Sequence, residues 1–284
     1  MQLTANSRKF RTLRTGAALQ LEAIRQYAPS VFAPAAGPTT SERYAYIPTI
    51  EPLERLLSNG WSVYEVSQCR VLDPSKEPFT KHSLRLRRDA DWGRMNKYGG
   101  AAEGVGELVL TNAHDGTSAY TLTAGYYRLV CSNGMTTGKQ VAAHRVVHAK
   151  GRTTGEIIDV AARVIEEDFP RMLEQIDMFK RVELSEVKRD AFARAAMELR
   201  YGNAWQTAAP FKPAELLHVR RPADAGDSAW AVLNRIQENV MQGGWETKST
   251  GYGRKSRVRP VEAILPAARI NRGLWAVAEE LCDA

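Results

Sequence analysis

Four segments decide the fold: WSVYEVSQCRVL at Trp61–Leu72, FTKHSLRLRR at Phe79–Arg88, VGELVLTN at Val105–Asn112 and SAYTLTAGYYRLVC at Ser118–Cys131. Each is rich in β-branched and aromatic residues and is bounded by turn-forming ones, the pattern of β-strands. Asp73-Pro74-Ser75-Lys76 separates the first two, and Asn112-Ala113-His114-Asp115-Gly116 makes a tight reversal between the last two. Strands joined this closely pair antiparallel, so the stretch predicts a β-meander. Strict alternation puts Trp61 and Val63 on one side of the first strand and Tyr64, Val66 and Arg70 on the other. Gly125, in the middle of the fourth, marks a bulge or a close backbone approach.

Working outward, Ile50–Leu57 reads as a helix with a Leu53, Leu56, Leu57 stripe, Thr49 as N-cap, Pro52 near the first turn and Asn59-Gly60 as a left-handed stop. Beyond the strands the period changes to that of helices: Ile157–Lys180, kinked or split at Pro170, then Ser185–Tyr201, Ser228–Gln242 and Arg269–Leu281. The expected class is α+β, an antiparallel meander with helices packed on one side plus a C-terminal helical region. Residues 44–284 are expected to form a single domain, β-rich over 61–135 and mainly helical over 154–284. Residues 1–43 read as a basic N-terminal arm and loop carrying Arg8, Lys9, Arg11 and Arg14.

Composition narrows the function. The 284 residues carry 39 Lys and Arg against 32 Asp and Glu, a formal charge of +7, which favours a polyanionic partner over a generically basic protein. Three cysteines, Cys69, Cys131 and Cys282, form no C-x-x-C pair and fit a reducing compartment. No stretch approaches a membrane span and the N-terminus lacks a signal-peptide pattern, so the expected location is the cytoplasm. The chain contains no phosphate-binding G-x-x-x-x-G-K-[ST], no G-x-S-x-G and no H-E-x-x-H. No catalytic residue and no cofactor is expected.

What remains is a set of cations interleaved with aromatics. In the second strand, Lys81, Arg85 and Arg87 share one face, opposite Leu84 and Leu86. The face is a cationic stripe or the ordinary solvated side of an antiparallel sheet. Trp92, Arg94, Lys97 and Tyr98 lie in a glycine-rich stretch over 89–104, a mixture that suits single-stranded nucleic acid or a loop pinned by one buried Trp. The segment WETKSTGYGRKSRVRP over 245–260 carries Lys248, Tyr252, Arg254, Lys255, Arg257 and Arg259. Its five cations fall together on a disordered or hairpin loop and make the strongest indication of phosphate contact, against a solvated basic loop. Histidines give a weaker lead. His82, His114 and Asp115 form the one neighbourhood a metal-dependent nuclease would draw on, and His144 and His148 stand four residues apart.

RYAYIPTIEPLERLLSNGW, SQCRVLDPSKEPFTKHSLRLRR, ELVLTNAHDGTSAYTLTAGYYRLVCSNGM, AFARAAMELRYG, AWAVLNRIQENVMQGG and INRGLWAVAEEL, in this order, resemble the bacterial phage- and plasmid-borne family known as domain of unknown function 932. The resemblance runs from about Arg43 to the C-terminus. It implies carriage on plasmids, integrative elements and prophages, and brings no catalytic residues with it. The element order (helix, antiparallel meander, long helix) also resembles the core of single-strand-annealing recombinases, which form oligomeric rings or filaments and hold DNA in a basic groove. Charge, pattern and resemblance together lead to the expectation of a non-enzymatic, single-stranded-DNA-binding, annealing-type protein of a mobile element, acting as a homo-oligomer. The alternatives are an interaction protein that blocks a host defence factor and, last, a metal-dependent nuclease.

Overall fold

The computed structural model describes residues 3–6, 10–88, 104–128, 135–136, 144–246, 257–261 and 263–283. Trp92, Arg94, Lys97, Tyr98, Lys248, Tyr252, Arg254 and Lys255 lie outside them, as do Arg8, Lys9 and Cys131. The chain forms two compact units, residues 1–129 with 141–170 and residues 130–140 with 171–284.

The first unit is built on the meander. Strands β1 (Leu3–Asn6), β2 (Phe10–Arg14), β3 (Trp61–Cys69), β4 (His82–Arg88), β5 (Gly104–Asn112) and β6 (Tyr120–Arg128) are neighbours in chain order, every pair antiparallel. A short β8 (His144–Val146), which follows β7 (Met135–Thr136) in the chain, pairs antiparallel with β6. The class is α+β with a meander, as the pattern predicts. Near the N-terminus, Leu3–Asn6 and Phe10–Arg14 pair antiparallel and extend the sheet beyond β3, with Arg14 paired to Glu65 and Arg11 to Glu77.

One sheet face is apolar. Val63 and Val66 of β3 stand beside Leu86 and Leu84 of β4, which stand beside Leu108 and Leu110 of β5. Val63 and Val66 share this face, against simple alternation, because the register shifts between Val63 and Glu65. A β-bulge there adds one residue and flips the parity of everything after it. Gly125 needs no bulge, for the β5–β6 register runs unbroken through its pairing with Glu107.

Helices α1 (Leu21–Tyr27), α2 (Ile50–Ser58) and α3 (Thr154–Arg163) complete this unit. Helix α2 buries Pro52, Leu53 and Leu56 and stops at Gly60, whose φ of +77° costs a Cβ-free residue nothing. Thr49 stands at the N-cap position but makes no capping bond; its hydroxyl is taken by a buried network described below. After α3 the backbone widens into a π-turn (Val164–Asp168) before α4 (Phe169–Arg181). Pro170 explains the widening. It has no N–H for the carbonyl four residues back and its ring crowds that carbonyl, and a π-turn relieves both. The Phe169 ring packs 6.0 Å from that of Trp61, over Gly106 of β5.

The second unit is helical. It comprises helices α5 (Glu186–Tyr201), α7 (Ala229–Gln242) and α8 (Ile264–Asp283), with the short α6 (Trp205–Ala208) after α5; Trp275 of α8 meets Phe179 of α4 at 5.3 Å and Trp230 of α7 at 6.3 Å. Ser185 and Ser228 cap α5 and α7 by accepting the Lys188 and Ala231 amides. Helix α8 begins five residues before the expected Arg269, and its Gly273 packs where a Cβ would meet the Leu199 side chain of α5 at 2.4 Å. Among the described residues no helix is long and apolar enough to cross a membrane.

Candidate nucleic-acid interface

The polar face of the sheet is not the free cationic stripe that its second strand predicts. Glu107 of β5 stands opposite Arg87. Its two oxygens take Arg87 Nε at 2.8 Å and Arg85 Nη2 at 2.7 Å. Arg87 is 1% exposed and its guanidinium lies 3.5 Å from the centroid of Tyr127 and 4.7 Å from that of Tyr64. Glu65 of β3 holds Arg14. Burial pushes the Glu65 carboxyl up, but Arg14, with Arg85 and Arg87, more than offsets this and holds it below the usual carboxylate range. Arg85 and Arg87 are therefore corrected from surface cations to members of a buried ion-pair network. Lys81 sits half-buried just before β4.

In the second unit the cations are held differently. A helix C-terminus leaves its last four carbonyls without intrahelical partners and carries partial negative charge. Arg200 spends its guanidinium on one such oxygen, Val240 O at the end of α7, and on Arg259 O, in the segment before α8, at 2.6 Å. Arg269 donates to Leu199 O at 3.0 Å. Arg220 donates to the Asn239 side chain, to Gln242 Oε1 at 3.3 Å and to Gly243 O at 2.5 Å. Among the described residues neither these three nor Arg259 makes an ion pair. Burial pulls the Arg200 guanidinium below its ordinary value, as expected for a charge met only by neutral dipoles. By contrast Arg221 is bidentate on Glu238, and Arg189 and Arg235 share Asp227.

The basic 245–260 segment begins at the same place. Gly243 and Gly244, both at positive φ, reverse the chain at the end of α7. A Cβ on Gly243 would lie 2.6 Å from Val258 O, so only glycine admits the returning strand. That strand closes a hairpin: Gly244 N–H donates to Val258 O at 2.9 Å, Val258 N–H to Trp245 O at 2.8 Å, and Glu246 bridges Arg257. Arg257 and Arg259 are exposed at its base. Trp245 is half-buried, with the Arg220 guanidinium 5.0 Å from its centroid and the His218 and Phe211 rings at 5.8 and 6.3 Å. Fixed guanidinium groups with charge to spare beside an indole suit phosphate oxygens and a stacked base.

Of the expected contact residues, the described ones thus divide: Arg257 and Arg259 converge on this surface, while Arg85 and Arg87 lie in the sheet network. Arg200, Arg220 and Arg269 are scattered over 70 residues and form no motif; the HVRRP run at 218–222 signals Arg220, and Trp245 opens the basic 245–260 segment. The histidines His82 and His114 come together, ring centroids 5.4 Å apart. Burial holds His82 down to about 4 and His114 to about 3. Asp115 is occupied by the Thr117 amide and hydroxyl. Among the described residues no group of three or more His, Cys, Asp or Glu side chains is placed to hold a metal ion.

Two proteins of Escherichia coli (strain K12), UPF0380 protein YafZ and UPF0380 protein YfjQ, are 36% and 35% identical over 269 residues, 95% of this chain and 93% of each relative. No solved structure matches the chain. Residues 38–275 match the family described as "Domain of unknown function (DUF932)", and the chain belongs to that family.

Proposed function

We propose that the protein binds single-stranded DNA in an annealing-type role on a mobile genetic element, acting in the cytoplasm as a homo-oligomer. The observation that carries the reading is the arginine set of the second unit. Arg200, Arg220 and Arg269 are oriented by carbonyl and amide oxygens, so their charge is not cancelled locally. Arg257 and Arg259 stand at the base of a hairpin whose intervening residues 247–256 include Lys248, Arg254 and Lys255 and no acid. Binding would rest on phosphate contacts, with Trp245 stacking against one base.

The test is fluorescence anisotropy of a labelled single-stranded oligonucleotide across a salt series, with duplex as competitor and no added metal. The expected result is preference for the single strand and a log–log salt slope of roughly −0.7 per phosphate contact. Replacing Arg254, Lys255, Arg257 and Arg259 together with Ala should flatten that slope. No binding at low salt would overturn the reading and turn the search to a host protein partner.

A further inference from the structure

The first unit contains a buried polar network that the arginine surface does not use. Thr49 Oγ1 lies 2.9 Å from His82 Nε2, 3.2 Å from His114 Nε2 and 3.0 Å from the Asn112 side-chain amide. His82 reaches Ser30 Oγ at 2.8 Å, and Ser30 donates to Gln68 Oε1 through its amide and its hydroxyl. His148 lies 2.7 Å from the Asn112 amide and 3.0 Å from Ala45 O. Apolar side chains of the same shape would hold the fold about as well, since each internal hydrogen bond replaces one to water. What a hydrogen-bonded network adds is a single fixed arrangement.

The part that this network fixes is the wall of a cleft. Three stretches meet there: residues 37–46, the turn at 113–117 and residues 148–149. Gly37 N–H donates to His114 O at 2.7 Å, the Tyr44 hydroxyl to Ala113 O at 3.1 Å and the Ala45 amide to His148 O at 3.2 Å. Tyr44 forms a β-bridge with Ala149 and stacks on His148, ring centroids 4.6 Å apart at 15°. The cleft has a volume of about 380 Å³, within the range of small-molecule sites. Thr39, Ser41, Arg43, Asp115 and the Tyr44–His148 pair line it.

Its polar groups are largely uncommitted. Arg43 is exposed and, among the described residues, makes neither an ion pair nor a side-chain hydrogen bond; the Thr39 and Ser41 hydroxyls are equally free. Asp115 gives Oδ1 to the Thr117 amide at 2.9 Å and to the Thr117 hydroxyl at 2.6 Å, and keeps Oδ2. Arg43 and Asp115 thus line one cleft without pairing with each other. A guanidinium and a carboxylate left apart in this way complement a ligand that is anionic at one end and donates hydrogen bonds at the other.

We propose that this cleft binds a small phosphorylated sugar compound, its phosphate on Arg43 and the hydroxyls of Thr39 and Ser41, and a sugar hydroxyl on Asp115. The number of donors favours phosphate over carboxylate. One guanidinium fork satisfies the two oxygens of a carboxylate, whereas the three terminal oxygens of a phosphate also take the flanking hydroxyls. Neither Arg43 nor Asp115 belongs to the arginine surface of the second unit, so this site stands or falls independently of single-strand binding.

The experiment titrates the full chain with ribose 5-phosphate, adenosine 5′-monophosphate, inorganic phosphate and L-alanine in turn, following backbone amide shifts by NMR. Ribose 5-phosphate should move the amides of residues 39–44, 115–116 and 148–149 to saturation. Tighter binding of the adenosine compound would support the proposal with a nucleotide as the ligand; equal affinity would support it with a sugar phosphate. Arg43→Gln should weaken ribose 5-phosphate by about tenfold, the scale of one charge-assisted hydrogen bond. Asp115→Asn, which keeps an oxygen for the Thr117 amide, should weaken it similarly and leave inorganic phosphate unchanged. No cleft shift at millimolar ligand, inorganic phosphate as tight as ribose 5-phosphate, preference for L-alanine, or wild-type affinity in either variant would overturn the proposal.

Discussion

The arginines of the sheet and the arginines of the helical unit carry the same charge and meet opposite fates. On the sheet, Arg14, Arg85 and Arg87 interlock with Glu65 and Glu107, and the buried network nearly cancels itself. In the helical unit, Arg200, Arg220 and Arg269 lean on oxygens without formal charge, which orient a guanidinium and leave its field directed outward. A cation reports a binding surface only when its acceptors are known.

The sharpest way to break this contrast is Glu107→Ala. It removes the carboxylate that two arginines share, one of them fully buried, and should cost about 3–5 kcal/mol of stability in urea unfolding. A loss below about 1 kcal/mol would show that the sheet face is solvated after all. Acid provides the next largest effect, again on the first unit. His82 is neutral when folded, with a pKa lowered from 6.5 to about 4, while the unfolded chain takes up the proton near 6.5. Stability is complete above 6.5 and falls as pH drops toward 4, by about 3 kcal/mol from this residue. Glu65 adds a second loss at lower pH, because its stabilisation is present above the ordinary carboxylate range and disappears as pH falls through its depressed pKa. Urea midpoints at pH 7.5, 6 and 5 would check the histidine part.

On the other side of the contrast, Trp245→Ala should weaken single-strand binding by about 1–3 kcal/mol while leaving the salt slope unchanged, since stacking releases no counterions. The smallest effect belongs to Arg257→Ala with Arg259→Ala. Anisotropy titrations should show a slope shallower by roughly 1.4 and stability changed by no more than about 0.5 kcal/mol. A slope that does not move would remove the hairpin base from the interface.

How much of this was legible in the sequence depends on how local the signal was. The meander, α2 with its Gly60 stop and the capped α5 and α7 follow from short patterns, and the structure has them. The sheet face misleads because its acids lie on other strands. Along β4 no carboxylate alternates with Lys81, Arg85 and Arg87, and Glu107 arrives from 20 residues beyond Arg87 through strand register. The bulge at Val63/Glu65 is equally silent, since alternation has no marker for one extra residue. Thr49 illustrates a competition: a residue that suits a cap is drawn instead to buried imidazoles supplied by distant strands and loops.

The N-terminal hairpin has a practical consequence. The family match begins at residue 38, a boundary at which the chain could be shortened. Such trimming would remove Arg14 from Glu65, Ser30 from Gln68 and His82, and the fully buried Ile24 from the core. It would also bare the long edge of β3, a template for pairing with another chain. Aggregation of a protein shortened in this way would reflect the missing strand, and would say nothing about assembly of the intact molecule.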